Sequence, residues 1–247
     1  MSNTQYKETD ENNPAAIELF KSIWKALEGD LGVAALTFPK AIYWLNGAPG
    51  AGKGTQTDVI LEELGLKSQP IVMSDLLKTP EMEAIKATGQ LIDDKTVIGL
   101  LFRRLTRPEY RDGVMVDGFP RTAGQVACLK LLAKKLNELH ASAPEKYFAA
   151  NFTMLMLYVT ENESVERQLK RGREMKAAGK PVRETDIDPE KTRVRYQVFA
   201  STTLEPLQSL KGTFPYLQID SLGGIEETAD EIQIGRASCR ERVWLRG

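Results

Sequence analysis

The sequence predicts an α/β fold, a five-stranded parallel sheet with helices on both faces. Short apolar runs alternate with longer segments of helical period from residue 41 onward. Strands separated by helices pair in parallel and are buried on both faces. The first apolar run leads directly into Gly47-Ala48-Pro49-Gly50-Ala51-Gly52-Lys53-Gly54-Thr55 and then into a helical pattern. The third run ends in Asp117-Gly118. Loops at the carboxyl ends of parallel strands are where such sheets bind ligands.

In chain order, residues 1–13 are polar and predicted to be disordered. Asn13-Pro14 reads as an N-cap with proline at the first helical position. Ile17, Phe20, Trp24 and Leu27 follow at helical spacing, and Gly29 is placed to end the helix. That apolar stripe must be covered. The expected cover is the body of the same domain; a partner or dimer surface is the alternative. Strands are predicted over 41–45, 70–73, 113–117, 152–159 and 216–220. Helices are predicted over 54–64, 81–86, 96–105, 122–140, 163–171, 189–199 and 225–232, the last barely begun. Residues 172–190 are charged, with few large apolar groups, and read as an exposed excursion. Residues 234–247 resemble translated sequencing-adapter read-through and read as a non-native tail, set aside from the fold. The domain reading is an N-terminal extension over 1–39 and one catalytic domain over 40–233.

Composition narrows the classes. The 247 residues are 42% hydrophobic, enough for one full core. The net charge of −1 shows no excess of basic residues to draw nucleic acid or an acidic membrane. No apolar run approaches the ~18 residues of a membrane span. The acidic start (Glu8, Asp10, Glu11) argues against a targeting peptide. The two cysteines, Cys128 and Cys239, have neither a pairing logic nor metal spacing, which points to a reducing cytoplasm and no zinc. The single histidine, His140, falls at the end of the long helix and reads as a surface cap.

Strand, glycine loop and helix together make a phosphate site. Glycines let backbone N–H groups turn inward, and the helix N-terminus adds partial positive charge. Lys53 is placed to reach β- and γ-phosphates, and Thr55 to offer a hydroxyl near a metal ion. Asp117, ending a buried parallel strand, sits beside that loop and suits the water shell of Mg²⁺. Arg121 follows and can face a phosphate. Arg167 and Arg171 are four apart and share a helix face. Arg173, Arg183, Arg193 and Arg195 come next. Phosphoryl transfer spreads negative charge over equatorial oxygens, so positioned cations carry most of its catalysis. The bland alternative is a solvated basic face.

The spelling GAPGAGKGT, with Gly54 between the lysine and threonine, resembles the adenylate kinase branch of the nucleoside monophosphate kinases, as does Asp117-Gly118-Phe119-Pro120-Arg121 followed by Gln125. The resemblance spans about residues 40–233. It implies a three-layer P-loop kinase fold, a lid over 172–195 of the short type without zinc, and a monophosphate-binding segment over 74–97. It implies a reversible reaction, MgATP + AMP giving two ADP, and a cis Phe119–Pro120 bond. ATP would be held by Gly50, Ala51, Gly52, Lys53, Gly54 and Thr55, with Arg167 stacked on adenine. Arg121, Arg171, Arg183 and Arg195 would contact phosphates; Asp117, through water, and Thr55 would serve the metal. AMP would lie on Met73, Ser74, Lys78, Gln90, Leu91, Ile92, Gly118, Arg121 and Gln125, with Gln125 reading the base. The resemblance is imperfect in three places. Thr185 stands where the family's lid motif has an aspartate, Met73 where it has threonine, and Lys78 where it has arginine. The stretch from Lys78 to Gly89 is also shorter than in common members. A kinase of UMP or CMP and a catalytically silent nucleotide-binding module are the alternatives; a monomer is expected.

Overall fold

A computed structural model describes residues 9–80, 82–83 and 92–233. Five strands, β1 (Ile42–Gly47), β2 (Ile71–Val72), β3 (Val114–Asp117), β4 (Phe152–Tyr158) and β5 (Tyr216–Asp220), form one sheet in the order β2-β3-β1-β4-β5. All pairs are parallel, with Leu45 of β1 level with Asp117 of β3 and with Leu155 of β4. Six longer helices are α1 (Pro14–Leu31), α2 (Lys53–Leu64), α3 (Asp94–Leu105), α4 (Ala123–Ser142), α5 (Glu161–Ala177) and α6 (Pro189–Phe199). A further helix covers 225–233.

Alternation along the strands explains the two cores. Ile42, Trp44, Val114, Val116, Phe152 and Met154 face one way and pack with residues of α1, α3 and α4. Leu45, Met115, Leu155 and Leu157 face the other way and pack with Ile60 of α2 and with Ile232. The period of two puts neighbours on opposite faces. Both faces are covered, so the strands read as nearly unbroken apolar runs.

The stripe of α1 lies inside the first core. Phe20 stacks on Trp24 at 5.8 Å and meets Phe102 of α3 edge-on at 6.1 Å; Trp24 stacks on Phe38 at 5.7 Å. Arg103 of α3 pairs with Asp30 at the end of α1. Asn13 caps the helix by accepting from the Ala15 N–H at 2.9 Å. The helix runs past Gly29 to Gly32, whose positive φ of 76° and N–H to the Glu28 carbonyl end it.

Several boundaries differ from the sequence reading, among them those of β2 and α5. β2 stops at Val72, because Met73 turns inward and opens a short helix, Met73–Leu76. α5 continues from the expected end at residue 171 to Ala177. Its last turns (Arg173, Glu174, Met175, Lys176) are good helix formers that need no apolar stripe because they project into solvent. The exposed excursion is thus shortened to residues 178–188, and the 172–195 lid range begins and ends inside helices. The helix that begins at residue 225 is helical through 233, the last described residue. Of the helix expected at 81–86, residues 82 and 83 are helical and the others lie outside the described residues, as do the tail from 234 and most of the N-terminal polar stretch.

Candidate active site

The glycine loop leaves β1 and enters α2 at Lys53. Gly50 has φ 77°, and a Cβ there would stand 2.8 Å from the Ser164 carbonyl oxygen, so the loop needs glycine for both its path and its contact with α5. Ser164 secures that contact by donating to the Pro49 carbonyl at 2.6 Å. From the far side, Ser221 at the end of β5 donates to the Ala51 carbonyl at 2.8 Å. Five of the six named helices have a side-chain N-cap: Asn13, Asp93, Thr122, Thr160 and Asp188. Only α2 among the six lacks one, because its N-cap is Gly52 in the left-handed conformation. The start of α2 is thus left without a side-chain acceptor, the condition in which a helix N-terminus suits an anion. Thr55 is exposed in that turn.

Lys53 folds back across the loop. Its ammonium donates to the carbonyls of Gly47 at 2.8 Å and Ala48 at 3.2 Å. Burial pushes its pKa down to about 8, although Asp117 opposes the shift; Arg121, Arg195 and Arg171 are near enough to add to it. Asp117 lies at the carboxyl end of β3. Burial raises its pKa, against the pull of Lys53 and Arg121. Its Oδ1 is buried and without a hydrogen-bond partner among the described residues, an oxygen suited to a metal ion's water.

The turn after Asp117 aims Arg121. Phe119–Pro120 is cis, and Asn46 from β1 donates to the Pro120 carbonyl at 3.0 Å. Gly118 has φ 88°, and Arg121 Nε donates to its carbonyl at 2.7 Å. A Cβ on Gly118 would stand 2.6 Å from Arg121 Nη2. Thr203, within the π-helical turn Ala200–Leu204, donates to the Arg121 carbonyl at 3.0 Å.

Two further arginines converge on one carboxylate. Arg171 of α5 donates through Nε at 2.9 Å and Nη2 at 2.7 Å to Oδ2 of Asp186, which is 1% exposed. Arg195 of α6 reaches Asp186 Oδ1 at 3.3 Å, Gln168 Oε1 at 3.0 Å and Thr185 Oγ1 at 3.3 Å. Gly172 lets α5 approach this turn, since a Cβ there would press on the Asp186 carbonyl. Desolvation lowers the pKa of Arg195, and exposed Arg183 adds to the effect. Arg167 is held apart from this pair: Nε donates to Glu163 at 2.6 Å, and Nη2 to the carbonyls of Leu222 and Gly223, each at 3.1 Å.

On the opposite side, Met73 is buried, Ser74 is exposed, and Lys78 pairs with Asp75 at 2.5 Å on the surface. Ile92 is half-buried against the core; Gln90 and Leu91 lie outside the described residues. Gln125 is buried, with Oε1 accepting the Arg121 N–H at 2.9 Å and Nε2 donating to Asp94 at 2.7 Å.

A family model described as AAA domain matches residues 46–180. An adenylate kinase of Azorhizobium caulinodans is 34% identical over 200 residues, covering 76% of this chain and 94% of that one. The chain belongs to the adenylate kinase family. A second member, from Methylobacterium radiotolerans, is 32% identical over 211 residues, covering 81% of this chain and 97% of its own. A gluconokinase from Sinorhizobium meliloti 1021 superposes with a TM-score of 0.50 over 86% of this chain and 99% of that one; at 19% identity the likeness is one of fold.

Of the residues read from the sequence of this adenylate kinase family member, Lys53, Asp117, Arg121, Arg171 and Arg195 come together at the carboxyl edge of the sheet. Arg167 joins the loop after β5 instead, and Arg183 stays at the surface. Sequence reasoning passed over the groups that hold these in place: Asn46, Asp94, Ser164, Gln168, Gly172, Asp186 and Thr203. Asp186 carried a faint signal, three residues after Arg183 in a motif already singled out. The others make contacts across long stretches of chain that no local pattern announces.

Proposed function

We propose that this chain catalyses reversible transfer of the γ-phosphoryl group of MgATP to AMP, yielding two ADP, as its adenylate kinase relatives are named for. The observation that carries the reading is the gathering of Lys53, Arg121, Arg171 and Arg195 beside one glycine loop in a chain of net charge −1. Cations so placed stabilise charge that spreads over a migrating phosphoryl group. The loop and the first turn of α2 bind the donor's phosphates, with Gly50, Ala51, Gly52, Gly54 and Thr55 supplying the cradle. Lys53 follows the moving charge. Arg171 and Arg195, oriented by Asp186, face the donor side, with Arg183 at the rim, and Arg121 grips the acceptor phosphate. Arg167 lies along the donor's base. Asp117 through water, with Thr55, would hold Mg²⁺, which would neutralise phosphate charge. The reading carries with it a role in nucleotide biosynthesis in the cytoplasm; among the described residues no helix is long and apolar enough to cross a membrane.

Gln125 selects the acceptor base, since an amide pairs with both the amine and a ring nitrogen of adenine. Met73 and Lys78 weaken the acceptor site. Lysine keeps the charge of an arginine but loses its planar two-point grip, and Lys78 is already paired with Asp75. The expected profile is AMP preferred, with a raised KM and looser base selectivity than relatives that carry threonine and arginine at these places. Initial rates with AMP, CMP, UMP, GMP and dAMP at one MgATP concentration test this, in wild type and in Gln125→Ala. A higher kcat/KM for CMP or UMP than for AMP overturns the assignment, as does a Gln125→Ala enzyme indifferent to AMP.

A further inference from the structure

We propose that Asp94 is a positioning residue that fixes which way round the Gln125 amide faces the acceptor base, and so sets the preference for amino over oxo bases. The inference rests on the reading of Gln125 as the base reader. A glutamine amide has two nearly isosteric orientations, one presenting oxygen where the other presents nitrogen. Here both ends are held by groups that tolerate only one. Gln125 Nε2 donates to Asp94 Oδ1 at 2.7 Å, and a carboxylate only accepts. Gln125 Oε1 accepts the Arg121 N–H at 2.9 Å, and a backbone N–H only donates. Reversing the amide would set oxygen against carboxylate and NH₂ against N–H.

Asp94 is itself held. Its Oδ2 accepts from Thr122 Oγ1 at 2.8 Å, and Thr122 caps α4 by accepting from the Gln125 N–H at 3.1 Å. Gly124 makes room for it: a Cβ there would stand 2.7 Å from Asp94 Oδ2. The carboxylate at the start of α3 and the amide in the first turn of α4 thus form one unit bridging two helices. A merely structural role for Asp94, as an acid in the first turn of α3, explains none of this directionality.

With the amide locked, its second oxygen lone pair and second N–H remain for a base. Oxygen meets the amine of adenine, and N–H meets a ring nitrogen. Hypoxanthine replaces that amine with a carbonyl and the adjacent N1 acceptor with an N–H, so it meets oxygen with oxygen and N–H with N–H. A site built to pair specific donors rejects a mismatched analogue strongly. An amide free to reverse would accept either base.

The test is the ratio of kcat/KM for AMP to that for IMP, measured with purified full-length chain and MgATP. In Asp94→Ala the ratio is expected to fall about tenfold or more, mainly through KM for AMP, because one charge-assisted partner of the amide is gone. Gly124→Ala should lower the ratio too, by displacing the carboxylate, and it leaves a good helix former in α4 should Asp94→Ala fold poorly. Asp94→Asn should retain most of the ratio, since its oxygen still accepts from Nε2 while its NH₂ faces the Thr122 hydroxyl. Equal losses for AMP and IMP in Asp94→Ala and Gly124→Ala, with the ratio unmoved, refute the lock. If Gln125→Ala loses the ratio while those two keep it, base reading by Gln125 stands and Asp94 has no part in it. If Gln125→Ala itself keeps the wild-type ratio, the reading of Gln125 fails and the lock with it.

Discussion

Replacing Gly172 with alanine separates the stability of this fold from the placing of its arginines. In the interior of α5 the exchange would ordinarily stabilise the helix by about 1 kcal/mol. Here the added methyl would press on the Asp186 carbonyl oxygen and stand 2.8 Å from the carbonyl carbon. Ordinary carbon contacts lie at roughly 3.5–4.0 Å, so the turn Glu184–Asp186 must retreat by about 1 Å. Such overpacking costs about 1–3 kcal/mol, leaving a net destabilisation of about 0–2 kcal/mol after the propensity gain. Asp186 moves with its backbone, and both of its arginines lose their anchor: Arg171 its two donations to Oδ2 and Arg195 its contact with Oδ1. A displacement of this size near reacting groups lowers rate by roughly 10²-fold. The expected signature is therefore a urea-unfolding midpoint lowered by no more than about 1 M, with kcat down about 30- to 100-fold and KM for AMP little changed. ADP formation measured by a coupled assay over both substrates, alongside urea unfolding, checks it. A kcat within about threefold of wild type would show that this turn does not position the arginines proposed to be catalytic, since the losses reasoned from are far larger.

Four other outcomes are expected. Lys53→Ala should fold normally yet lose activity by about 10²–10³-fold or more; retention of a tenth of wild-type kcat would remove Lys53 from the mechanism. With its pKa near 8 in the nucleotide-free protein, Lys53 should make kcat/KM for MgATP fall above about pH 8, while kcat holds to higher pH because bound phosphates favour the ammonium. The same depression means the folded chain binds fewer protons than the unfolded one between about pH 8 and 10.5, so this group's contribution to stability rises with pH across that window, as unfolding free energies at several pH values would register. Phe20→Ala should lower unfolding free energy by about 3–5 kcal/mol, as for a core aromatic; a loss under 1 kcal/mol would mean that α1 packs only loosely on α3 and α4.

Much of the fold was legible because its signals are local. The parallel strands are apolar runs of the right length, and Asn13-Pro14 and Asp188-Pro189 announce helix starts by their capping chemistry. The loop Gly47–Thr55 and the turn at Asp117 were legible for the same reason: a phosphate cradle needs particular backbone freedom at particular spacings. The end of α5 was misjudged because Arg173, Glu174 and Lys176 look like loop composition, although straight-chain charged residues favour helix wherever no core must be met. What stayed hidden is the support for the site. Asp186 lies 15 residues from Arg171 and Asp94 lies 31 from Gln125. Each partner is an ordinary residue whose meaning arises only when two helix ends are brought together. Gly172 and Gly124 were hidden twice over, since their role is to leave space for a side chain or carbonyl from elsewhere.

The two ways in which the site holds its cations bear on how it works. Lys53 rests on two neutral carbonyls, those of Gly47 and Ala48, and burial, opposed by Asp117, holds its pKa below the ordinary lysine value. Arg171 and Arg195 share a buried carboxylate instead. Both sets are charge-assisted hydrogen bonds, but a carboxylate adds the attraction of a full opposite charge that a carbonyl lacks, so on the proposed reading the lysine is released to an arriving phosphate more easily than the arginines are. On the proposed reading this is a division of labour. Lys53 can move with the transferring group from one nucleotide to the other. Arg171 and Arg195 keep their geometry while their remaining N–H groups, which Asp186 does not use, face the phosphates. A guanidinium offers five donors in a fixed fork and can do both at once, which an ammonium on a flexible stem cannot. The arrangement therefore requires arginine at 171 and 195 and lysine at 53, and exchanging the two residue types would conserve charge without conserving either role.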